Sequence, residues 1–120
     1  MDARRTERIS EAIREELSEL IGYEMSDPRV AAAIVTQVHV STDARRAQVM
    51  LGFADQDEAA DALLALENAR HFLRVQLSQR LGLFHTPELH FAIDAATGIG
   101  ERMKHIMKRV RRGRARDGAG

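Results

Sequence analysis

The chain has 120 residues, of which 44% are apolar and 30% are charged, a composition typical of one globular domain. It contains no cysteine, which excludes disulfides, thiolate metal sites and a cysteine nucleophile. No apolar run approaches the roughly 20 residues that a membrane span needs. The charged start of the chain does not resemble a signal peptide. We therefore expect a cytoplasmic protein.

The formal net charge of zero conceals a strong asymmetry along the chain. Residues 101–120 hold eight Lys or Arg and two acidic residues, a net charge of +6, so the other hundred residues carry −6. A basic tail on an acidic body indicates a polyanionic partner, with nucleic acid the first candidate. The alternative is a solubilising end, because residues 111–120 have no apolar pattern and are expected to be disordered.

The first predicted element is an amphipathic helix over residues 4–24. Its apolar residues recur at three- and four-residue steps: Ile9, Ile13, Leu17, Leu20 and Ile21. Because its polar face is acidic, we expect this helix to pack on the core rather than on a membrane surface. Asp27-Pro28 disfavours further helix, so residues 26–33 are predicted to be a connection with a short turn of its own.

Three segments alternate with the period of two that predicts β-strands. In the first, residues 34–41, the alternation assigns Ile34, Thr36, Val38 and Val40 to one face and Val35, Gln37, His39 and Ser41 to the other. The second strand, residues 47–53, follows a short turn at 42–45, so the pair is predicted to be a hairpin. The third covers residues 89–94. His39 and His90 are expected to share the open face of this sheet.

The longest helical stretch is residues 58–81, and it has two interpretations. Near its middle the apolar stripe is carried only by Ala69, next to Asn68, a residue type that favours a cap or a break. One interpretation is a single continuous helix. We adopt the other, two helices end to end with a bend near Asn68–His71. Asp55–Glu58 is a predicted capping box in which Asp55 accepts from the N–H of Glu58, and Gly82 is the predicted stop.

The predicted order is helix, strand, strand, helix, helix, strand, followed by a short helix over residues 101–110. Each strand has one apolar face, and the helices are able to cover it. This pattern indicates a two-layer α+β domain with a three-stranded sheet covered on one face by helices. Since no apolar surface stripe is left over after the core is assigned, we expect a monomer.

The sequence contains none of the common catalytic motifs. It has no Gly-x-Ser-x-Gly, no P-loop and no Gly-x-Gly-x-x-Gly, and its five histidines are scattered. Metal sites need ligands at defined spacing, with carboxylate or thiolate company. We therefore expect no enzyme activity, no metal and no cofactor.

Basic residues cluster at two predicted element ends. Arg45 and Arg46 lie at the hairpin turn, and Arg70, His71 and Arg74 lie at the bend, with Arg80 further on. A helix start presents free N–H groups to a phosphate, and arginine adds bidentate donors. Aromatic residues, on which bases could stack, are scarce on the polar faces. Contacts to RNA phosphates should therefore dominate over contacts to the bases. The alternative is that these arginines pair with Glu and Asp residues on solvated helix faces.

Several stretches, taken in their order and spacing, resemble the bacterial ribosome-binding factor A family. They are Asp27-Pro28-Arg29 followed by Ile34-Val35-Thr36-Gln37-Val38-His39-Val40-Ser41, Leu73-Arg74 with Leu77 and Leu81, Pro87-Glu88-Leu89-His90-Phe91 with Asp94, and Gly100-Glu101-Arg102-Met103. The resemblance runs from about residue 4 to about residue 108. The order αββααβ is similar to that of a type II KH domain, an RNA-binding fold.

The resemblance implies a KH type II-like ribosome-binding domain over residues 1–110 and a basic tail over 111–120. It implies a factor that binds the small (30S) ribosomal subunit and 16S rRNA. Such a factor assists late maturation, including processing of the rRNA 5′ end, and has a role in cold adaptation. It also raises a GTPase assembly factor as a candidate partner that releases the protein.

In this family an Ala-x-Gly kink between the second and third helices replaces the usual KH Gly-x-x-Gly loop. The matching triplet here is Ala69-Arg70-His71, so the kink must form without glycine's freedom at positive φ. The RNA-binding residues that we predict are Arg45, Arg46, Arg70, His71, Arg74, Arg80, Lys104, Lys108, Arg109, Arg111 and Arg112.

A second hypothesis remains open beside the assembly factor. It is a KH-like protein-interaction module that binds a protein through its acidic helical face, with nonspecific nucleic-acid affinity from the basic tail. The dependence of binding on salt concentration distinguishes the two hypotheses. Binding to phosphates weakens steeply as salt concentration rises, whereas binding through a hydrophobic protein interface should not.

Overall fold

The computed structural model describes residues 3–94. Helix α1 spans Ala3–Glu19 and continues into a π-helical turn, Leu20–Glu24. A 3-10 turn, Pro28–Val30, leads to strand β1, Ile34–Val40. A tight turn joins β1 to β2, Arg46–Gly52.

The second half of the described chain is a pair of helices and a strand. After a 3-10 turn, Gln56–Glu58, come α2, Ala59–Asn68, and α3, Arg70–Leu81. Strand β3, Glu88–Ile93, completes the order αββααβ, which confirms the predicted α+β, KH type II-like arrangement. The helix predicted over residues 101–110 and the tail at 111–120 lie outside the described residues.

The three strands form one mixed sheet in the order β1-β2-β3. Strand β1 is antiparallel to β2, as the predicted hairpin requires, whereas β3 is parallel to β2. Parallel neighbours need a long crossover connection, and α2 and α3 supply it. Together with α1, these helices cover one face of the sheet and leave the other face open.

The core between the sheet and the helices is aliphatic. Strand β1 contributes the buried Val35, Val38 and Val40. The fully buried large apolar side chains come from the other main elements and their connections, and include Ile13, Leu17, Leu20, Ile21, Val30, Val49, Leu51, Leu66, Leu73, Leu77 and Leu89. Among the described residues, no charged or polar side chain is buried, so this core holds no internal ion pair. Across the same residues, no helix has the length and hydropathy needed to cross a bilayer.

The bend between α2 and α3 confirms the predicted pair of helices. Ala69 separates them with φ −92° and ψ 2°, in the sparsely populated bridge region. Its N–H donates to the carbonyl oxygens of Ala65 and Leu66, and α3 begins at the next residue. His71 has helical backbone rather than positive φ. A histidine at the family's glycine position is therefore compatible with this bend.

The predicted faces of β1 are wrong at the start of the strand. A β-bulge interrupts the register between Val35 and Gln37. One extra residue reverses which side chains point inward, so Val35 is buried together with Val38 and Val40. The hydroxyl of Thr36 instead lies 2.6 Å from the Oδ2 atom of Asp94 and 3.2 Å from the carbonyl oxygen of Met50.

The predicted capping box at Asp55–Glu58 is also wrong in its donor. The Asp55 carboxylate accepts from the N–H of Asp57 at 2.9 Å, and its backbone carbonyl accepts from Glu58. This local bond favours a 3-10 turn over an immediate α-helix, so α2 begins only at Ala59. At the far end of α3, Gly82 adopts φ 59° and stops the helix as predicted.

The described residues do leave apolar side chains on the surface, contrary to the sequence-based expectation. The exposed large ones are Tyr23, Leu64, Phe72, Val75, Phe84 and Ile93. Phe84 is the most exposed, at 95%. The monomeric state was predicted because no apolar surface was expected to remain exposed. Since that reason does not hold, the monomeric state stays a prediction.

Candidate nucleic-acid interface

Three arginines from different elements line one cleft of about 640 Å³, which we call the arginine cleft. Helix α1 contributes Arg5, the β1–β2 turn contributes Arg45, and α3 contributes Arg74. The remaining walls are formed by Ile9, Asp43, Ala44, Leu83, Phe84, His85, Thr86, Pro87 and Glu88. The fold thus brings together cations that are 40 and 29 residues apart in the sequence.

The β1–β2 turn fixes the position of Arg45 through hydrogen bonds around Asp43. The Asp43 carboxylate accepts from the Ser41 hydroxyl at 2.6 Å and from the N–H of Arg45 at 3.1 Å. The bond from Ser41, followed by the bond from Arg45, lowers the pKa of Asp43 below its ordinary range. Ala44 adopts φ 60° to close this turn. The Arg45 side chain is exposed and forms no salt bridge within residues 3–94.

Arg74 holds the loop between α3 and β3. Its Nε and Nη2 atoms donate to the carbonyl oxygen of Thr86 at 3.1 and 2.8 Å. A carbonyl oxygen carries no formal charge, so the guanidinium keeps its full positive charge at the cleft. The buried Thr86 hydroxyl has no hydrogen-bond partner in the described part of the chain.

Arg46 lies on the open face of the sheet. Its Nε atom is 3.3 Å from the Nε2 atom of His90, which also lies 3.3 Å from the Glu88 carboxylate. His39 and His90 are both cross-strand partners of Gln48, so they share this face as predicted. No group of three His, Cys, Asp or Glu residues able to hold a metal occurs among residues 3–94.

Two of the predicted RNA-binding arginines have carboxylate partners within the fold. Arg70 lies 3.0 Å from Glu67 and 3.8 Å from Glu88. Arg80 forms ion pairs with Glu24 and, at 3.3 Å, with Glu16. Glu24 is the largest cause of the raised pKa of Arg80. The arginines therefore fall into two groups, since no carboxylate of residues 3–94 lies within salt-bridge distance of Arg45, Arg46 or Arg74.

Other predicted residues are not part of the arginine cleft. His71 is exposed in the first turn of α3 and does not line the cleft. Lys104, Lys108, Arg109, Arg111 and Arg112 lie outside the described residues.

Sequence analysis missed Arg5, Phe84 and His85 as members of the site. Arg5 is far in sequence from Arg45 and Arg74, the other cations of the cleft, so only the tertiary structure reveals that it belongs to the site. Phe84 carried a detectable signal, because it is an aromatic residue between a helix stop at Gly82 and Pro87. Its ring meets His85 edge-to-face, with centroids 4.6 Å apart and an interplanar angle of 83°. The expected scarcity of aromatic platforms on polar surfaces is thus wrong at this loop.

Comparison with known proteins identifies the family. A sequence profile described as ribosome-binding factor A matches residues 5–107. The ribosome-binding factor A of Solibacter usitatus is 47% identical over 118 residues, which cover 98% of this chain and 96% of that protein. The protein of the same name from Koribacter versatilis is 36% identical over 105 residues, covering 87% and 85% of the two chains.

Solved structures agree with the sequence comparisons. The crystal structure of ribosome-binding factor A from Thermus thermophilus has a TM-score of 0.59 at 27% identity and covers 80% of this chain and 99% of that one. A homology model of the Thermus thermophilus factor, fitted into a cryo-EM map of a 30S complex, has a TM-score of 0.55 at 26% identity, covering 71% and 94%. The chain therefore belongs to the ribosome-binding factor A family.

Proposed function

We propose that this protein binds the small ribosomal subunit by contacting 16S rRNA phosphates with the arginine cleft. The observation that carries the proposal is the convergence of Arg45 and Arg74 on one cleft, with no carboxylate contacting either guanidinium among the described residues. Family membership supplies the partner, because a Thermus thermophilus relative has been fitted into a 30S complex. Arg46 extends the same basic surface onto the open face of the sheet.

The electrostatics of the described residues support a phosphate partner. Arg74 uses two of its donors on a neutral carbonyl and has others left for a ligand. Three arginines in the cleft face two carboxylates. Glu88 contacts Arg70 and His90, while Asp43 accepts from Ser41 and attracts Arg45, so positive charge is in excess. Such a site is suited to binding and offers no obvious catalytic group, so we propose a binding function without catalysis or cofactor.

The finer role that we propose follows from the family. The protein would act in the cytoplasm as a monomer, assist late maturation including processing of the rRNA 5′ end, and matter most in the cold. A GTPase assembly factor would release it. Residues 101–120, with their net charge of +6, would add affinity through Lys104, Lys108, Arg109, Arg111 and Arg112.

Co-sedimentation with separated small subunits, large subunits and whole ribosomes, at low and moderate salt, tests this proposal. We expect selective binding to small subunits that weakens as salt rises, because phosphate contacts release counterions. Reversing both Arg45→Glu and Arg74→Glu should weaken that binding well over tenfold, since two cations become anions. Arg29→Glu is a matched control, because Arg29 pairs with Asp27 outside the cleft.

Two results would contradict the proposal. Unchanged small-subunit binding by the folded double variant would remove the cleft from the interface. Equal binding to all particles would reduce the activity to nonspecific attraction by the basic tail.

One observation favours the second function, a protein-interaction module. A separate, largely apolar cleft of about 450 Å³ lies between the end of α1 and the edge strand β1. Ile21, Tyr23 and Ile34 line it beside Glu15 and Glu19, and Tyr23 is 71% exposed. A basic peptide with an apolar side chain fits this chemistry. Small-subunit binding that does not depend on salt concentration, and that is lost in the Tyr23→Ala variant, would favour this alternative.

A further inference from the structure

Phe84 is a large apolar side chain that lines the arginine cleft and is exposed to solvent. It is 95% exposed, the highest value among the exposed large apolar residues of the described part of the chain. Isolated apolar residues on a surface are common and need no explanation by themselves. Phe72 is such a case, because it is 47% exposed but does not line the arginine cleft. Phe84 differs because it lines the same cleft as Arg45 and Arg74, and this location calls for an explanation.

The loop that carries Phe84 is anchored on both sides. Before it, α3 ends at Gly82, and after it the Thr86 carbonyl is bound by Arg74. Pro87 is fully buried, and the His85 ring packs edge-to-face on Phe84. Because the loop is anchored on both sides, its backbone needs little further ordering when a ligand stacks on the exposed ring.

The groups around Phe84 match the parts of a nucleotide. An aromatic ring stacks on any base, since every base has a π-face. Arginine forks bind phosphate oxygens bidentately, and Arg45 and Arg74 line the same cleft as Phe84. The volume of about 640 Å³ lies within the ordinary range for small-ligand sites.

We propose that Phe84 stacks on an unpaired base of single-stranded RNA whose phosphates are bound by Arg45 and Arg74. This inference rests on the proposed function, and it names the kind of rRNA segment that the cleft takes. Bases within a duplex are already stacked and paired, so the ligand is a single-stranded loop or end. Because stacking is sequence-tolerant, the site selects for an unpaired base rather than for one base type.

Binding of a short single-stranded RNA to the full chain tests this inference. The probe is a hexanucleotide that contains the fluorescent base 2-aminopurine, since the chain has no Trp and one Tyr. We expect Phe84→Ala to weaken binding about 5- to 100-fold, the usual effect of removing one base-stacking ring. Phe84→Leu should weaken it as well, because leucine retains apolar area but no aromatic face. Phe72→Ala is the matched control and should bind like the unchanged protein.

A second readout separates stacking from charge. Phe84→Ala removes no cation, so the slope of log affinity against log salt should not change, whereas Arg74→Gln should reduce it. NMR adds direct evidence, because four Phe and one Tyr give a sparse aromatic spectrum. Ring-current shifts confined to Phe84 and His85 are expected when the single strand binds. A duplex of the same sequence should not produce them.

The outcomes distinguish this inference from the proposed function. Equal affinity of the unchanged protein and folded Phe84→Ala for single strands would overturn the stacking site, even if small-subunit binding still requires Arg45 and Arg74. A loss seen only with subunits and not with naked RNA would place Phe84 against a ribosomal protein and would also overturn it. Stacking on single strands without any subunit binding would uphold the site and overturn the proposed function.

Discussion

Two hydrogen bonds, of 3.1 and 2.8 Å, join the guanidinium of Arg74 on α3 to the carbonyl oxygen of Thr86 in the loop before β3. One side chain therefore performs two tasks. It fixes the loop that carries Phe84, and it places in the arginine cleft a positive charge that no carboxylate of residues 3–94 contacts directly. Loop order and phosphate attraction are coupled at this residue.

Arg74→Lys separates these two tasks. Lysine keeps the positive charge but lacks the planar fork that makes both bonds to Thr86. We expect the free energy of unfolding to fall by about 1 kcal/mol, the usual net value of such hydrogen bonds at a surface. The salt dependence of RNA binding should stay the same, because the number of cations is unchanged. Urea unfolding and RNA titrations at three salt concentrations measure the two effects.

Arg74→Gln is the matched variant, since it removes the charge as well. Its salt slope should be smaller in magnitude than that of Arg74→Lys. If both variants show the same reduced slope, Arg74 contributes to binding through its geometry rather than through its charge.

The two groups of arginines predict unequal effects on RNA binding. The Arg45 guanidinium forms no salt bridge among residues 3–94, although the nearby Asp43 carboxylate attracts it, whereas Arg70 forms ion pairs with Glu67 and Glu88. Removing a phosphate contact on a single strand lowers the salt slope by about 0.7. We expect a reduction of that size for Arg45→Gln and less than half of it for Arg70→Gln. Both variants lose one positive charge, so a difference between them reports direct contact. Equal slopes would show that only the overall charge matters.

Much of the fold could be predicted because its signals are local. The apolar period of α1 and the alternation of β2 gave the correct elements, and Asn68-Ala69 marked the bend. The bulge in β1 could not be predicted, because Thr36 reaches Asp94, 58 residues away. The division of the arginines into two groups could not be predicted for the same reason, because it depends on contacts between residues far apart in the sequence. Glu16 and Glu24 bind Arg80 only through tertiary packing, so spacing alone could not tell a free cation from a paired one.

The turn that carries Arg45 should have a characteristic pH dependence. Hydrogen bonds from Ser41 and from the N–H of Arg45 lower the pKa of Asp43 in the folded state. A carboxylate with a lowered pKa stabilises the fold above its unfolded pKa, about 4 for Asp, and this contribution is lost as pH falls through the folded pKa. We expect Asp43→Asn to lower Tm at pH 7. The difference from the unchanged protein should shrink as pH falls below about 4. Thermal melts across the acid and neutral range provide the measurement, and a difference that is constant over this range would contradict the assignment.

The backbone of the same turn is left-handed at one residue that is not glycine. Ala44 adopts φ 60°, a conformation that costs a residue with a Cβ atom about 1–2 kcal/mol. Glycine adopts it freely, although it adds unfolded-state entropy worth about 0.5–1 kcal/mol. Ala44→Gly should therefore raise the free energy of unfolding by up to about 1 kcal/mol, which is a few degrees in Tm. The gain is limited because the Ala44 methyl group also packs on the core.

Ala12→Gly makes the same chemical change in the middle of α1 and serves as the control. There the backbone is right-handed helix, so glycine should destabilise the protein by about 1 kcal/mol. Urea unfolding of both variants should thus give shifts of opposite sign. Destabilisation by both would mean that Ala44 is not strained, and the lost packing of its methyl group would then be the larger effect. A gain at Ala44 without loss of RNA affinity would show that the strain is not needed to position Arg45.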